Sequence, residues 1–352
     1  MSRFLKNTYA KLEAYTPGEQ PKDGEYIKLN TNESPFPPAP EVTEVLEKED
    51  IERLRLYCDP TSAELKGKLA ELYGVSSENV FLSNGSDDIL NFSMMAWSGK
   101  GAVFPDITYG FYPVFAELHG VEYEEIPLKE DFTVDASDYI ARDKLIFIAN
   151  PNAPTGIEMP LSEIERIVAS NSDTVVVIDE AYVDFGGTSA LPLIEKYENL
   201  LVVRTFSKSR CLAGGRLGYA FGCKALIEDL EKIKYSTNPY NINSLTAKLG
   251  CATVDADSYY TDRCKEIIKN REYTAKALET LGFTVLKSKS NFIFAKSDKI
   301  SGEDLYLKLK KRKILVRHFS KERIRDFNRI TIGTKAEMDA LLENTEEILK
   351  EI

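Results

Sequence analysis

Two residues of chemical interest stand at the ends of apolar runs: Asp179 closes TVVVID (174–179), and Lys208 closes LLVVRTFSK (200–208). An amine at the end of a buried strand can be desolvated, lose its proton and attack a carbonyl carbon. A carboxylate carried into a low-dielectric position needs a cationic partner, and the sequence gives Asp179 no basic neighbour. Any single lysine is by default a solvated one, but co-occurrence reverses that reading here. Asp179 lies 29 residues before Lys208, Arg216 lies 8 after it, and each follows its own apolar segment. All three can therefore converge at one sheet edge, as a nucleophilic amine, a carboxylate for a cation and a guanidinium for an anion.

Further clusters fall where strands are expected to end, which is where open α/β sheets bind ligands. Ser83-Asn84-Gly85-Ser86-Asp87 is a small-residue turn whose backbone N–H groups face an anion at a helix N-terminus; a plain capped turn is the competing reading. Asn150-Pro151-Asn152-Ala153-Pro154-Thr155-Gly156 is a rigid turn, either structural or with asparagines placed to hydrogen-bond a ring substituent. Tyr182 lies three positions beyond the carboxylate of Asp179. His119 and His318 read as structural or surface residues, and the aromatic residues of GFYPVF (110–115) as core.

These clusters need a scaffold that brings strand ends together. NVFLS (79–83), AVF (102–104), KLIFIAN (144–150), TVVVID (174–179), LLVVRTF (200–206) and LGYAFG (217–222) are predicted strands. The continuous β-branched runs among them suit a parallel sheet buried on both faces. Helices are predicted over DILNFSMMAW (88–97) and TYGFYPVFAELHG (108–120); another opens at Thr61, with capping-box spacing to Glu64, and stops at Gly74. The fold class is α/β, with a mostly parallel central sheet and helices on both faces. After a hinge-like KYSTNPYNIN (234–243) come a long helix (about 259–281) and short strands at FTVL (283–286), NFIFA (291–295), ILVRHF (314–319) and RITIG (329–333). They predict a smaller α+β domain. The expected organisation is an arm, 1–29, joining the small domain, a large ligand-binding domain, 30–240, and a small C-terminal domain, 241–352.

A chain of 352 residues exceeds what one core usually holds. Its 43% hydrophobic and 29% charged residues have the balance of a globular protein. A net charge of −11 argues against nucleic acid or acidic membranes as partners, so an anionic ligand needs arginines gathered locally. No stretch has the character of a signal peptide or a membrane span. Five scattered cysteines without a C-x-x-C pair predict no metal site and a reducing, cytoplasmic setting.

Taken in order, the phosphate turn, N-x-PTG, DEAY, TFSK and LAGGR resemble the class I/II, fold-type I pyridoxal-phosphate (PLP) aminotransferases over essentially the whole chain. Within them, LNTNESPFPPAP (29–40), LRLYCDPTSAELKGKLAELYGV (54–75) and RITIGT (329–334) are similar to the histidinol-phosphate aminotransferase group. The resemblance implies that Lys208 carries the cofactor as a Schiff base and shuttles a proton, and that Asp179 pairs with the pyridine nitrogen. It implies Tyr182 and Asn152, with Asn150 as the alternative, at the phenolic oxygen and Tyr109 on the ring face. Ser86 and Asp87 (through backbone amides), Ser207 and Arg216 would hold the phosphate. Tyr57 would reach the phosphate of a neighbouring subunit, which requires a homodimer. Arg329, with Arg317, Tyr15 and Asn32, would bind the substrate's carboxylate or phosphate. An ionised Asp about 4 Å from the ring nitrogen is worth about 4 kcal/mol at an effective dielectric of about 20, or about three pKa units. Ala153 and Cys58 depart from the family pattern. The activity implied is transamination between glutamate and imidazole-acetol phosphate. An aromatic aminotransferase, a PLP-dependent threonine-phosphate decarboxylase and a non-catalytic regulator are the other readings.

Overall fold

The structure, a computed structural model, describes residues 4–6, 9–10, 12, 18–22 and 24–352. Its largest sheet has seven strands, in the spatial order Val80–Ser83, Gly218–Phe221, Leu200–Thr205, Val176–Asp179, Leu145–Ala149, Ala102–Pro105, Tyr123–Ile126. Gly218–Phe221 runs antiparallel to both neighbours, and the other pairings are parallel.

Strand alternation divides the apolar runs between two cores. Phe81, Phe104, Leu145, Phe147, Val177, Leu201 and Val203 face one side. Helices Ser86–Trp97, Phe111–His119 and Lys224–Thr237 cover them, through Leu90, Tyr112 and Leu230 among others. Leu82, Val103, Ile146, Ile148, Val176, Ile178, Leu200 and Val202 face the other side, under helices Ala63–Tyr73, Leu161–Ser170 and Ser244–Asp255. Burial on both faces is why these strands read as continuous hydrophobic runs.

A second, antiparallel sheet has the order Arg317–His318, Phe327–Thr331, Phe292–Ser297, Phe283–Val285. It packs with helices Asp257–Thr280, Gly302–Lys311 and Lys335–Lys350 around Phe292, Ile330 and Leu341. The segment Ile27–Lys28 pairs in parallel with Ile314–Leu315, which ties the arm to this smaller unit.

Several expectations meet different local structure. The run 314–319 is two short strands, Ile314–Leu315 on the arm and Arg317–His318 on the second sheet, instead of one. Thr61 and Glu64 form no capping box; the helix starts at Ala63, and Asp59 accepts from the N–H of Thr61 and of Ala63. A carboxylate two residues upstream thus outcompetes the threonine hydroxyl, which itself donates to Asp59. Gly74 ends that helix in the left-handed region at φ 68°, as its position requires. Helix Ser244–Asp255 belongs to the core of the large sheet, and the change of core falls within Asp257–Thr280, between Tyr260 and Cys264.

Candidate active site

At the carboxyl ends of the central strands lies a cavity of about 370 Å³. Its wall includes Asp179, Tyr182, Lys208, Tyr109, Ser86, Asp87, Ser207 and Arg216, so the sheet brings together residues from four separate clusters of the sequence. Asp179 ends its strand in register with Val203 of the next, five residues before the lysine. Lys208 is half-buried; its Nζ donates to the Thr31 carbonyl at 3.2 Å and stands 5.8 Å from the Tyr182 ring centroid.

Asp179 is 5% exposed, and its hydrogen bonds come from neutral donors. Tyr112 donates its hydroxyl to Oδ2 at 3.0 Å, and the Ala181 N–H donates to Oδ1 at 3.2 Å. Burial pushes its carboxyl up to about 6, with Asp87 and Glu180 adding like charge and the two donors opposing. Glu180 points elsewhere, into a buried pair with Arg204 at 2.9 Å.

At the other end of the cavity the helix Ser86–Trp97 begins at Gly85 with no side chain capping its first amides. Arg216, held at φ 51° in the left-handed region, reaches over that terminus and meets Asp87 Oδ2 at 3.3 Å. Its exposed guanidinium and the uncapped amides make an anion cradle. The cradle is possible because residue 218 is glycine. A Cβ there would sit 2.3 Å from the Ser86 nitrogen and 2.4 Å from the Gly85 carbonyl carbon. Between the two ends Tyr109, whose hydroxyl donates to Asp87 Oδ1 at 2.7 Å, presents its ring to the cavity.

These residues fit the cofactor that the sequence pattern implies. A carboxylate buried among neutral donors suits a cation, as on a pyridine nitrogen, and the cradle suits a phosphate. An amine stands on the same wall.

A second cavity, of about 360 Å³, shares Tyr109, Ala153 and Tyr182 with the first and holds Arg317 and Arg329. Arg329 Nη2 donates to the Asn30 carbonyl at 2.9 Å, and its guanidinium lies over Phe292 and Phe319. Asn32 is buried and touches the site through Tyr182, to whose oxygen its Nδ2 donates at 2.9 Å. Asn152 directs its amide hydrogens to the Ile107 carbonyl and the Thr155 hydroxyl, bracing the loop that carries Ala153. Tyr57 is 84% exposed, stacked on Tyr240 at 4.5 Å and outside the cavity of its own chain. Tyr15 lies outside the described residues. His119 meets Asn91, and His318 the Arg325 carbonyl.

Sequence reasoning missed Tyr112, Gly218, Thr31 and Thr205. Tyr112 sat within an aromatic run read mostly as core, and its place one residue into the helix Phe111–His119 carries no signal of its hydroxyl's partner. The other three act through backbone position or as small lining groups, and their residue types carry no signal.

Among the described residues no group of His, Cys, Asp and Glu could hold a metal ion, and no helix is long and apolar enough to cross a membrane.

The family model for aminotransferase class I and II matches residues 24–344. The histidinol-phosphate aminotransferase of Brachyspira hyodysenteriae is 50% identical over 353 aligned residues, covering 99% of this chain and all of that one. That of Clostridium acetobutylicum is 46% identical, covering 99% and 100% respectively. The solved structure of histidinol-phosphate aminotransferase from Sinorhizobium meliloti, in complex with pyridoxal-5'-phosphate, superposes with a TM-score of 0.89 over 100% of this chain and 99% of that one. At 22% identity this likeness speaks for the fold, the fold-type I architecture of these enzymes. Family match and full-length relatives agree with the geometry of the cavity: the chain belongs to the class I and II aminotransferases, in the histidinol-phosphate aminotransferase family.

Proposed function

We propose that this chain is a PLP-dependent aminotransferase exchanging an amino group between glutamate and imidazole-acetol phosphate, to give histidinol phosphate and 2-oxoglutarate. The observation that carries the chemistry is the joint placement of Lys208 and Asp179 on one cavity wall, with an anion cradle at its far end. When bound, PLP supplies an electron sink for the bonds of the substrate α-carbon.

The residues divide the work. Lys208 holds the cofactor's aldehyde carbon and moves the proton at the substrate α-carbon. Asp179 keeps the ring nitrogen protonated. Tyr182 accepts from Asn32, which leaves its own hydrogen for an acceptor in the cavity such as the phenolic oxygen. Tyr109 packs on the ring face. Arg216, Ser207 and the amides of Ser86 and Asp87 hold the phosphate. Asn152 reaches the phenolic oxygen by exchanging one of its loop hydrogen bonds. Arg317 and Arg329 take the substrate's carboxylate or phosphate, and two adjoining cavities leave room for a substrate with anions at both ends.

The imidazole-bearing substrate rests on the full-length relatives, whose names carry histidinol phosphate. Tyr57, exposed with Leu54 and Leu56 beside it, supports a homodimer in which it completes the neighbouring cradle. Five free thiols support a reducing cytoplasm as the setting. The test is a half-reaction: mixing the yellow protein with histidinol phosphate, phenylalanine or phosphothreonine and following loss of the aldehyde absorbance. Bleaching by histidinol phosphate is expected. Bleaching by phenylalanine alone, or carbon dioxide released from phosphothreonine, overturns the assignment.

A further inference from the structure

The hydroxyl of Tyr112 has Asp179 as its hydrogen-bond partner, and the residue is fully buried. Its ring is gripped by Phe104, Tyr109 and Phe147, with centroids 5.7, 5.7 and 5.1 Å away. The hydroxyl therefore stays aimed at Oδ2, while the Ala181 amide holds Oδ1. The last torsion of an aspartate is soft, and a donor on each oxygen arrests it.

We propose that Tyr112 is a positioning residue: it fixes the rotation of the Asp179 carboxylate, so that an ionised oxygen faces the ring nitrogen of the cofactor. The proposal rests on the reading of the cavity as a PLP site. A core residue that merely filled space would need no hydroxyl. Phenylalanine would serve in the same ring packing, and the phenol's desolvation would be avoided. The groups around Asp179 otherwise disfavour its charge: Asp87 and Glu180 repel it, and Tyr109 and Tyr182 stand close to the Tyr112–Asp179 pair. Lys208 lines the same cavity, with its Nζ on the Thr31 carbonyl. Tyr112 and Ala181 supply the two hydrogen bonds that favour the anion.

The test uses the holoenzyme with Tyr112→Phe, which keeps the ring. In the variant kcat with glutamate is expected to fall roughly 10-fold with KM within about twofold, because a hydrogen bond to a charged acceptor is lost. The pH at which the visible band of the bound cofactor titrates is expected to move up by about 0.5–1 unit, since a less cationic ring releases nearby protons less readily. A 3-fluorotyrosine at position 112, a stronger donor of nearly the same shape, should move that pH the opposite way, and it serves if the phenylalanine variant does not fold. A folded variant whose band and kcat match the parent overturns the proposal. A parent chain that takes up no cofactor overturns the site reading itself, and the two failures are told apart by the parent's spectrum.

Discussion

Asn32 donates from Nδ2 to the Tyr182 phenol across 150 residues of sequence, and its Oδ1 accepts from the hydroxyl of Thr331. Its own carbonyl accepts from Asn291, so one buried residue just past the arm links the segment after the strand Val176–Asp179 to the small sheet. Asn32 sits at φ 56°, a conformation that asparagine tolerates better than most residues. Replacing Asn32 with Ala should lower stability by about 1–3 kcal/mol, from the buried partners left unpaired. Thermal melting would check it. Tyr182→Phe leaves the buried Asn32 amide unpaired and should cost about 1 kcal/mol or more in stability, and it should also lose roughly tenfold in kcat because its donor to the cavity is gone.

Asp179→Asn separates electrostatics from shape. Turnover should drop about 10³-fold, the rate equivalent of about 4 kcal/mol at the ring nitrogen. The cofactor-free proteins should show the opposite order in stability. Burial raises this carboxyl from 3.8 to about 6, so the fold binds its proton more tightly than the unfolded chain does. The resulting penalty is absent below about pH 4, grows as pH rises, and is complete above about pH 6. At pH 8 the cofactor-free Asn variant should therefore be the more stable by about 3 kcal/mol, from roughly two pKa units. Denaturant melts from pH 4 to 8 would reveal that gap opening; a constant gap would sink the idea.

Gly218→Ala and Gly67→Ala form a matched pair. The first drives a Cβ into the backbone of Gly85 and Ser86 and should cost about 2 kcal/mol or more, with weaker cofactor retention. The second meets nothing within 4 Å inside the helix Ala63–Tyr73 and should stabilise by roughly 0.5–1 kcal/mol, leaving cofactor affinity unchanged. Melting curves and PLP titration distinguish the two.

If Tyr57 serves the neighbouring cradle, chains carrying Lys208→Ala and chains carrying Tyr57→Phe should complement one another. Each mixed dimer would hold one site with both native residues, so activity after subunit exchange should exceed that of either variant alone. Sedimentation should give twice the chain mass. A strict monomer, or no gain on mixing, removes Tyr57 from the site.

Asp179 and Lys208 were legible in the sequence because the first ends and the second follows a strand buried on both faces, so the apolar run announces where the polar residue must emerge; Arg216 was legible only from its LAGGR motif, since it stands before the strand Gly218–Phe221 and follows none directly. The strand Tyr123–Ile126 was not. It lies at the sheet edge, with only Ile126 buried, and its tyrosine and glutamates carry no such signature. Tyr112 was hidden for another reason: its ring belongs to the core while its hydroxyl belongs to the site, and residue type reports only the first. The split of 314–319 depends on which partner strand each half meets, and that is a tertiary choice.

The antiparallel strand Gly218–Phe221 carries a consequence for biosynthesis. Val80–Ser83, which leads into the anion cradle, is joined to the rest of the sheet through that later strand. A nascent polypeptide released before Phe221 lacks the rung that seats the first strand, and its cradle has no floor. On the PLP-site reading, cofactor capture would then follow translation of nearly two thirds of the chain.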